Sequence, residues 1–298
     1  MNLNLRVFKE KQIIISNDLD GLVCAAFLSS HYKCQVVGVY TLENLWIAEN
    51  HFCTIDELLN FLKKCIFVDH DIFHPEILSI GHHILQWCKD LPAKEIFKKI
   101  INPNLEKNIT FKNFNQKYPF ATIHLLLSFH KGEVKFTQKK FLTLLLHIDS
   151  SFINAMKYQE NALEWISWLE KTKEGPIHSI FKVLHRRSTC ALLRDFEVLS
   201  KDFMLLGLKP RGQAVFSDPL KENRLIQKFY EYLREISGWY ARFPLPEEFY
   251  KPWELERKSD KPTKKNFKKI LKTKPFSYAL ISKGTKGLNY AYLHGHNH

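Results

Sequence analysis

Long apolar runs, paired cysteines and internal repeats are all missing from this sequence of 298 residues. No apolar run reaches the roughly 20 residues that a membrane span needs, and the longest, residues 121–127, contains His124. The N-terminus is charged and has no apolar stretch typical of a secretion signal. The six cysteines show no CxxC spacing, which argues against a zinc finger or a disulfide framework. We therefore expect a cytoplasmic protein that does not bind membranes.

Acidic residues are scarce relative to basic ones. Lys and Arg number 44 against 31 Asp and Glu, and the formal net charge is +13. Such an excess favours a polyanionic partner, of which nucleic acid is the usual one, although a merely basic protein has the same composition. Hydrophobic residues make up 45% of the chain, which is enough for a folded protein with a sizeable core.

The N-terminal part alternates between strand-like and helix-like segments. Apolar runs at residues 12–15, 35–40 and 65–68 predict buried strands. Residues 21–30 and 54–64 predict helices, the second of which begins with a Thr-x-x-Glu capping box. This alternation is typical of a parallel sheet with helices on its faces. We predict an α/β fold with a doubly wound, mostly parallel sheet.

The remainder of the chain predicts a different organisation. From about residue 118 the pattern is helical, until a Gly-Pro pair at 175–176 interrupts it. Residues 276–293 predict a terminal β-hairpin with a Gly-bearing turn. We expect a first domain over residues 1–174. A separate, smaller and mainly helical C-terminal region over residues 175–298 is expected to close over the N-terminal site and to bind a substrate or partner.

Two carboxylates follow the first predicted strand, in the turn Asp18-Leu19-Asp20-Gly21. Neighbouring carboxylates repel each other, and a divalent cation would neutralise both. Gly21 lets the backbone approach closely, and Asp18 or Asp20 could instead simply cap the following helix. Because the two charges repel, we expect that replacing Asp20 by Ala leaves stability near native.

More candidate ligands lie further along the chain. Asp69 follows the third predicted strand, and ligands of such sheets bind beyond the carboxyl ends of the strands. His82 and His83 come soon after. Asp and His together suit manganese, iron or zinc, although a His pair alone is more often a surface feature. Asp149 extends an apolar row with helical spacing, where a carboxylate is costly unless it is paired or bound to metal. Asp149 could also be exposed after the helix ends.

Taken in order, these segments resemble the motifs of the DHH phosphoesterase superfamily. That family includes RecJ-type exonucleases, nano-RNases, inorganic pyrophosphatases and cyclic-dinucleotide phosphodiesterases. The resemblance covers about residues 10–160. The similar segments are Asp18-Leu19-Asp20-Gly21, Asp69, Gly81-His82-His83, Leu91-Pro92, Asn102-Pro103-Asn104 and Asp149. Two positions depart from the family pattern, because Ser16 and Gly81 stand where His and Asp are usual.

The resemblance implies a metal-dependent phosphoesterase with Mn²⁺ or Mg²⁺ as cofactor. The implied substrate is single-stranded nucleic acid or a short oligonucleotide. The implied metal ligands are Asp18, Asp20, Asp69, His82 and Asp149. The implied catalytic residues are Asp20, His82 and His83. With two usual ligands replaced, the implied site is a reduced one that holds one metal or none.

Contact with nucleic acid is expected mainly from the basic run at residues 257–274. The residues expected to bind nucleic acid are Lys264, Lys265, Lys268, Lys269, Asn102 and Asn104. The lysines could equally face solvent on one side of a helix. Two other functions stay open. One is a catalytically degenerate nucleic-acid-binding or assembly subunit, in a homo-oligomer or a protein complex. The other is an enzyme that hydrolyses a cyclic dinucleotide or a nucleotide.

Overall fold

The structure is a computed structural model that describes residues 4–48, 51–134, 136, 138–170, 176–178, 180–181, 188–208 and 214–293. The strands are β1 (Gln12–Ser16), β2 (Gln35–Tyr40), β3 (Asn44–Ile47), β4 (Ile66–Val68), β5 (Leu78–Ile80), β6 (Ile100–Ile101), β7 (Trp253–Asp260), β8 (Ser277–Leu280) and β9 (Leu288–Leu293). The helices are α1 (Leu19–Tyr32), α2 (Ile55–Leu62), α3 (Pro103–Glu106), α4 (Thr122–Phe129), α5 (Lys139–His147), α6 (Ser151–Lys157), α7 (Gln159–Glu170), α8 (Thr189–Leu206), α9 (Asn223–Ser237) and α10 (Lys264–Lys272). Short 3-10 helices lie at Leu5–Phe8, Lys94–Phe97, Phe111–Gln116, Ile148–Ser150 and Pro246–Glu248.

The strands form one sheet in the order β6-β5-β4-β1-β2-β3-β7-β9-β8. β1 pairs in parallel with β2 on one side and β4 on the other, and β5 and β6 extend the parallel part. The strands β3, β7, β9 and β8 pair antiparallel. The α/β class is confirmed, and the sheet is mixed, with a parallel part formed by β6, β5, β4, β1 and β2. A short link between β2 and β3 explains the first antiparallel pairing, because a parallel pairing needs a longer crossover.

Both faces of the parallel part are buried. Ile13 and Ile15 of β1 belong to one hydrophobic cluster, together with the small residues of α1. Ile14 points the other way and belongs to a second cluster, with Leu58 and Leu62 of α2. Successive side chains of a strand point to opposite faces, so an uninterrupted apolar run is the pattern that a strand covered on both sides requires.

The order of the parallel strands reverses at β1. The chain passes from β1 to β2 in one direction and later returns to place β4 on the other side of β1. Ligands of such sheets bind at this reversal, beyond the carboxyl ends of the strands. Asp18 and Asp20 follow β1 and Asp69 follows β4, so the topology brings all three to the same edge.

The end of the chain is not separate from this sheet, and that part of the prediction is wrong. β7 pairs with β3, and the predicted hairpin of β8 and β9 is present as a continuation of the sheet. Isolated bridges join Ile72 to Ser277 and Ile84 to Leu280, so the far edge curls back to the segments after β4 and β5. Sequence patterns do not reveal β7 because Leu255 is its one buried residue. The predicted boundary at residues 174–175 lies outside the described residues.

The middle of the chain is helical, as expected. α4 packs against α1 and α7, and α5 packs against α6, α8 and α9. Among the helices that the structure describes, none has both the length and the apolar character needed to cross a membrane.

Candidate metal centre

The loop after β1 is closed by hydrogen bonds around Asp18. Its carboxylate caps α1 by accepting from the backbone N–H of Gly21 at 3.0 Å, so the capping alternative holds for this residue. Ser16 Oγ donates to the same oxygen at 2.7 Å. Position 21 requires glycine, because a Cβ there would lie 2.6 Å from the backbone oxygen of Ser16. The loop is also held by the second half of the chain, since Val215 N donates to Asn17 O at 2.8 Å.

Asp20 lies in the first turn of α1 but points at the beginning of a different helix. Its two carboxylate oxygens accept from the backbone N–H groups of Thr122 at 2.6 Å and Ile123 at 3.0 Å. These groups open α4, where the helix dipole favours a negative charge. Asp20 is 1% exposed. It therefore ties α1 to α4 and presents a fixed carboxylate to the site.

Asp69 follows β4 in a left-handed backbone conformation with φ of 63°. Such a conformation is uncommon for a residue with a side chain and is found at functional sites. Two hydroxyls orient its carboxylate: Ser16 Oγ lies 2.8 Å from one oxygen and Thr122 Oγ1 donates to the other at 2.7 Å. The residue is buried beside Asp20.

His82 lies between two sets of carboxylates. Its Nδ1 is 3.4 Å from Asp69 Oδ1 and 4.0 Å from Asp20 Oδ2, while its Nε2 is 3.2 Å from Asp149 Oδ2. The Thr122 hydroxyl has a single proton, which it donates to Asp69. Its 3.0 Å contact with His82 Nδ1 is therefore a bond donated by the imidazole.

Asp149 reaches the site from the short 3-10 segment Ile148–Ser150 and not from the face of α5. α5 ends at His147, and Asp149 follows with φ of 51°. Its side chain is 34% exposed. The predicted helical row is therefore wrong at its last position. The alternative prediction, in which the helix ends before Asp149, is correct for the backbone. The side chain of Asp149 nevertheless faces His82.

Four of the five predicted ligands come together. Asp20, Asp69, His82 and Asp149 each offer one ligand atom, and these atoms lie within 4.8 Å of one another. Ligand atoms about 2.1 Å from a small divalent ion are at most about 4.2 Å apart, so a slight inward movement would bring all four into coordination. The group could hold a metal ion, whereas Asp18 lies beside it and caps α1.

The protonation of these carboxylates points to the same conclusion. Burial, followed by the charge of Asp69, raises the pKa of Asp20 well above its usual range. Burial, followed by the charges of Asp18 and Asp149, does the same to the pKa of Asp69. Burial and Asp149 raise the pKa of Asp18. Clustered carboxylates need either protons or a cation, and a divalent ion would take the place of the protons.

Ser16 limits how the carboxylates of Asp18 and Asp69 can be satisfied. Its hydroxyl lies within hydrogen-bonding distance of both Asp18 and Asp69 but has one proton to donate. One of the two carboxylates must therefore accept from elsewhere, be protonated, or face a cation. A serine here links two acidic side chains, where an imidazole would have offered a further ligand.

Thr122 and Asp71 are the site residues that sequence reasoning did not identify. Thr122 contributes its backbone N–H, its hydroxyl proton and its hydroxyl oxygen to three different site residues. Nothing in its local sequence reveals this, because its partners are distant along the chain. Asp71 had a signal in its place two residues after Asp69, and it accepts from His83 Nδ1 at 3.2 Å.

Asn102 and Asn104 have structural roles in place of the expected contact with nucleic acid. Both are 1% exposed. Asn102 caps α3 and donates to Asp71 and to the carbonyl of His83 at 2.8 and 2.9 Å. Asn104 donates to the carbonyl of His82 at 2.7 Å. The two amides therefore position the histidine segment from behind.

The predicted basic surface is the outer face of α10. Phe267 and Ile270 face the core, and the exposed face carries Lys264, Lys265, Lys268 and Lys269. Phe267 packs on Tyr278 at 5.6 Å and lies 6.1 Å from Trp87, measured between ring centroids. The hydroxyl of Tyr278 donates to Leu85 O at 2.9 Å. α10 is thus anchored on the segment that follows the two histidines, while its lysines face solvent.

No family model matches the chain, and comparisons with curated proteins and with solved structures find no significant match.

Proposed function

We propose that this chain is a metal-dependent phosphoesterase. The observation that carries the proposal is the convergence of Asp20, Asp69, His82 and Asp149 at the carboxyl edge of the sheet. A donor set of three carboxylates and one imidazole suits Mn²⁺ or Mg²⁺, as in the DHH superfamily that the sequence resembles. When bound, such an ion lowers the pKa of a water molecule and offsets charge that develops on phosphate oxygens.

The chain's own residues would prepare this edge before a substrate arrives. Asp20 and Asp69 are held by backbone N–H groups and hydroxyls, so little reorganisation is needed. Thr122 fixes the ring of His82 from behind. His83 stacks on His82 with ring centroids 4.7 Å apart, and its side chain is 37% exposed. His83 is therefore the imidazole best placed to contact a phosphate oxygen.

Single-stranded nucleic acid or an oligonucleotide is the proposed substrate. The chain has a net charge of +13. The lysine face of α10 belongs to a helix anchored on Trp87, four residues beyond His83 in the chain. Cations at this place could hold the phosphates that flank a scissile bond, and such contacts position a strand without reading its sequence.

A catalytically degenerate binding or assembly subunit is the second candidate, and Ser16 is the observation that favours it. The serine hydroxyl links Asp18 to Asp69 and supplies no ligand of its own. Asp18 also caps α1. Because the oxygens of Ser16 and Asp18 take part in these hydrogen bonds, fewer ligands are free for the second metal ion of a two-metal phosphoesterase site.

Metal binding and hydrolysis together test the proposal. The assay follows a labelled single-stranded oligonucleotide and bis(p-nitrophenyl) phosphate in Mn²⁺, Mg²⁺ or EDTA. Asp149→Asn should weaken Mn²⁺ binding and reduce hydrolysis by more than the roughly 10- to 100-fold typical of losing an outer partner of a metal ligand. The variant should fold, because no backbone N–H in the described part of the chain donates to that carboxylate.

Asp56→Asn is the matched control, since Asp56 is an exposed acid in the first turn of α2. It should leave both measurements unchanged. Mn²⁺ binding without hydrolysis of either substrate would favour the binding subunit. Faster hydrolysis of a dinucleotide than of a long strand would favour a small-molecule enzyme. Absence of metal binding would refute the proposal.

A further inference from the structure

We propose that Asp71 is a positioning residue that orients His83 towards a phosphate group, and that Gly81 provides the space for it. The inference rests in part on the proposed function, because it assigns a partner to the exposed imidazole of that site. Asp71 is not one of the four candidate metal ligands. It would act on the substrate through His83.

The carboxylate of Asp71 is buried and fully engaged. Asp71 is 5% exposed. Oδ2 accepts from the backbone N–H of His83 at 3.1 Å and from His83 Nδ1 at 3.2 Å. Oδ1 accepts from Asn102 Nδ2 at 2.8 Å. A carboxylate with both oxygens occupied has one orientation, and it transmits that orientation to the imidazole it contacts.

Asn102 is itself fixed, so the network has a rigid base. Its Oδ1 accepts from Asn104 N at 2.8 Å and from Leu105 N at 3.3 Å, as the cap of α3. Since the oxygen is committed to the helix, the amide nitrogen must face Asp71 and His83. The donor on Asn102 therefore requires an acceptor oxygen at position 71.

Gly81 shows that Asp71 takes the place of a side chain at that position. A Cβ at residue 81 would lie 2.7 Å from the carboxylate carbon and from both oxygens of Asp71. The two positions cannot both carry side chains in this arrangement. The sequence departs from the Asp-His-His pattern at Gly81, yet a carboxylate still stands beside the histidines, supplied from the segment after β4.

These contacts leave one edge of the His83 ring, the edge with Nε2, open to a substrate. Its Nδ1 is engaged by Asp71, and its ring is nearly parallel to that of His82, with an interplanar angle of 22°. Nε2 is therefore the nitrogen left for a substrate oxygen. A ring held by a buried carboxylate on one side and a neighbouring ring on one face loses little freedom when it contacts phosphate.

The test is the substitution Asp71→Asn, made both in the wild-type protein and in a His83→Gln background. Histidine-selective ¹⁵N NMR should show that the His83 ring changes its protonated nitrogen or becomes mobile, because the amide cannot accept in the same way. Addition of inorganic phosphate with Mg²⁺ should shift the His83 signals in the wild type and shift them less in the variant. Mn²⁺ affinity should stay within about twofold, and kcat on bis(p-nitrophenyl) phosphate should fall about 10- to 100-fold, as for loss of an outer partner.

A double-mutant cycle separates positioning from an independent role. In a His83→Gln background, Asp71→Asn should cause no further loss of kcat. An equal loss in both backgrounds, a collapse of Mn²⁺ affinity, or unchanged His83 signals would each overturn the proposal. If the wild type hydrolyses no phosphoester, the proposed function fails, while the NMR response to phosphate still decides the role of Asp71.

Thermal unfolding tests whether Gly81 provides the space that the Asp71 carboxylate occupies. Gly81→Ala should lower the thermal midpoint, because the new methyl group meets the Asp71 carboxylate. The same substitution should cost much less in an Asp71→Ala background, where that carboxylate is absent. An equal cost in both backgrounds would mean that Gly81 is required for another reason, and the compensation between positions 71 and 81 would be wrong.

Discussion

Replacing Asp20 by Ala should destabilise the metal-free protein. The substitution removes the acceptor of two backbone N–H groups, those of Thr122 and Ile123, at the buried start of α4. An unsatisfied buried donor costs about 1–3 kcal/mol, so the two together should cost about 2–6 kcal/mol. Relief of repulsion with Asp69 offsets little of this. The raised pKa of Asp20 means that the wild type can already relieve the repulsion by binding a proton.

Urea unfolding followed by far-UV circular dichroism in EDTA measures this effect. Asp20→Asn should lie between the wild type and the alanine variant, because its single amide oxygen can replace one of the two acceptors. Asp149→Asn should stay within about 0.5 kcal/mol of the wild type, as is usual for surface substitutions. An alanine variant as stable as the wild type would refute the reasoning. It would restore the expectation from sequence alone, in which Asp20 is only a repelling charge.

Three further outcomes are expected. Because Asp20 and Asp69 have pKa values well above the usual range, Mn²⁺ should displace protons from them, and its affinity should weaken as pH falls. Calorimetry in buffers of different ionisation enthalpy measures the number of protons released. An affinity that does not change with pH would contradict this expectation. Burial lowers the pKa of His130 to about 4, so the stability that its neutral form contributes is complete above the unfolded pKa of about 6.5 and is lost as pH falls towards 4. The free energy of unfolding of His130→Gln should therefore depend less steeply on pH between these two values. A pH dependence identical to that of the wild type would argue against this role of His130. Neutralising the four exposed lysines of α10 together should flatten the logarithmic salt dependence of single-strand affinity by up to about 3 units, without changing turnover of bis(p-nitrophenyl) phosphate; an unchanged slope would mean that this face only contacts solvent.

The strand ends of the parallel part could be predicted from sequence. The apolar runs of β1, β2 and β4 are visible because both faces of these strands are buried. Asp20 and Asp69 follow two neighbouring strands, and strand order alone brings them to one edge. The order of motifs predicts His82 as a ligand, and its Nδ1 lies 3.4 Å from Asp69 Oδ1 and 4.0 Å from Asp20 Oδ2.

The remaining parts depend on contacts that no local pattern encodes. Thr122 matters because α4 begins beside α1, and its own neighbours in sequence carry no sign of that. Apolar spacing continues up to Asp149 and predicts a helical position for it, whereas two consecutive left-handed residues, Asp149 and Ser150, end the helical row without any glycine. β7 carries mostly exposed side chains, so no alternation marks it as a strand.

The bridges from Ile72 to Ser277 and from Ile84 to Leu280 have a consequence for how the protein acquires its site during synthesis. The two bridged residues lie just after Asp69 and just after His83, so β8 supports the loops that carry the candidate ligands. A ribosome releases β8 and β9 well after the parallel strands, because both follow them in the chain. A nascent chain that has exposed the whole parallel sheet still lacks this support, and such non-local pairings form late because loop closure is costly. We expect full metal affinity to appear only after the last hairpin has docked.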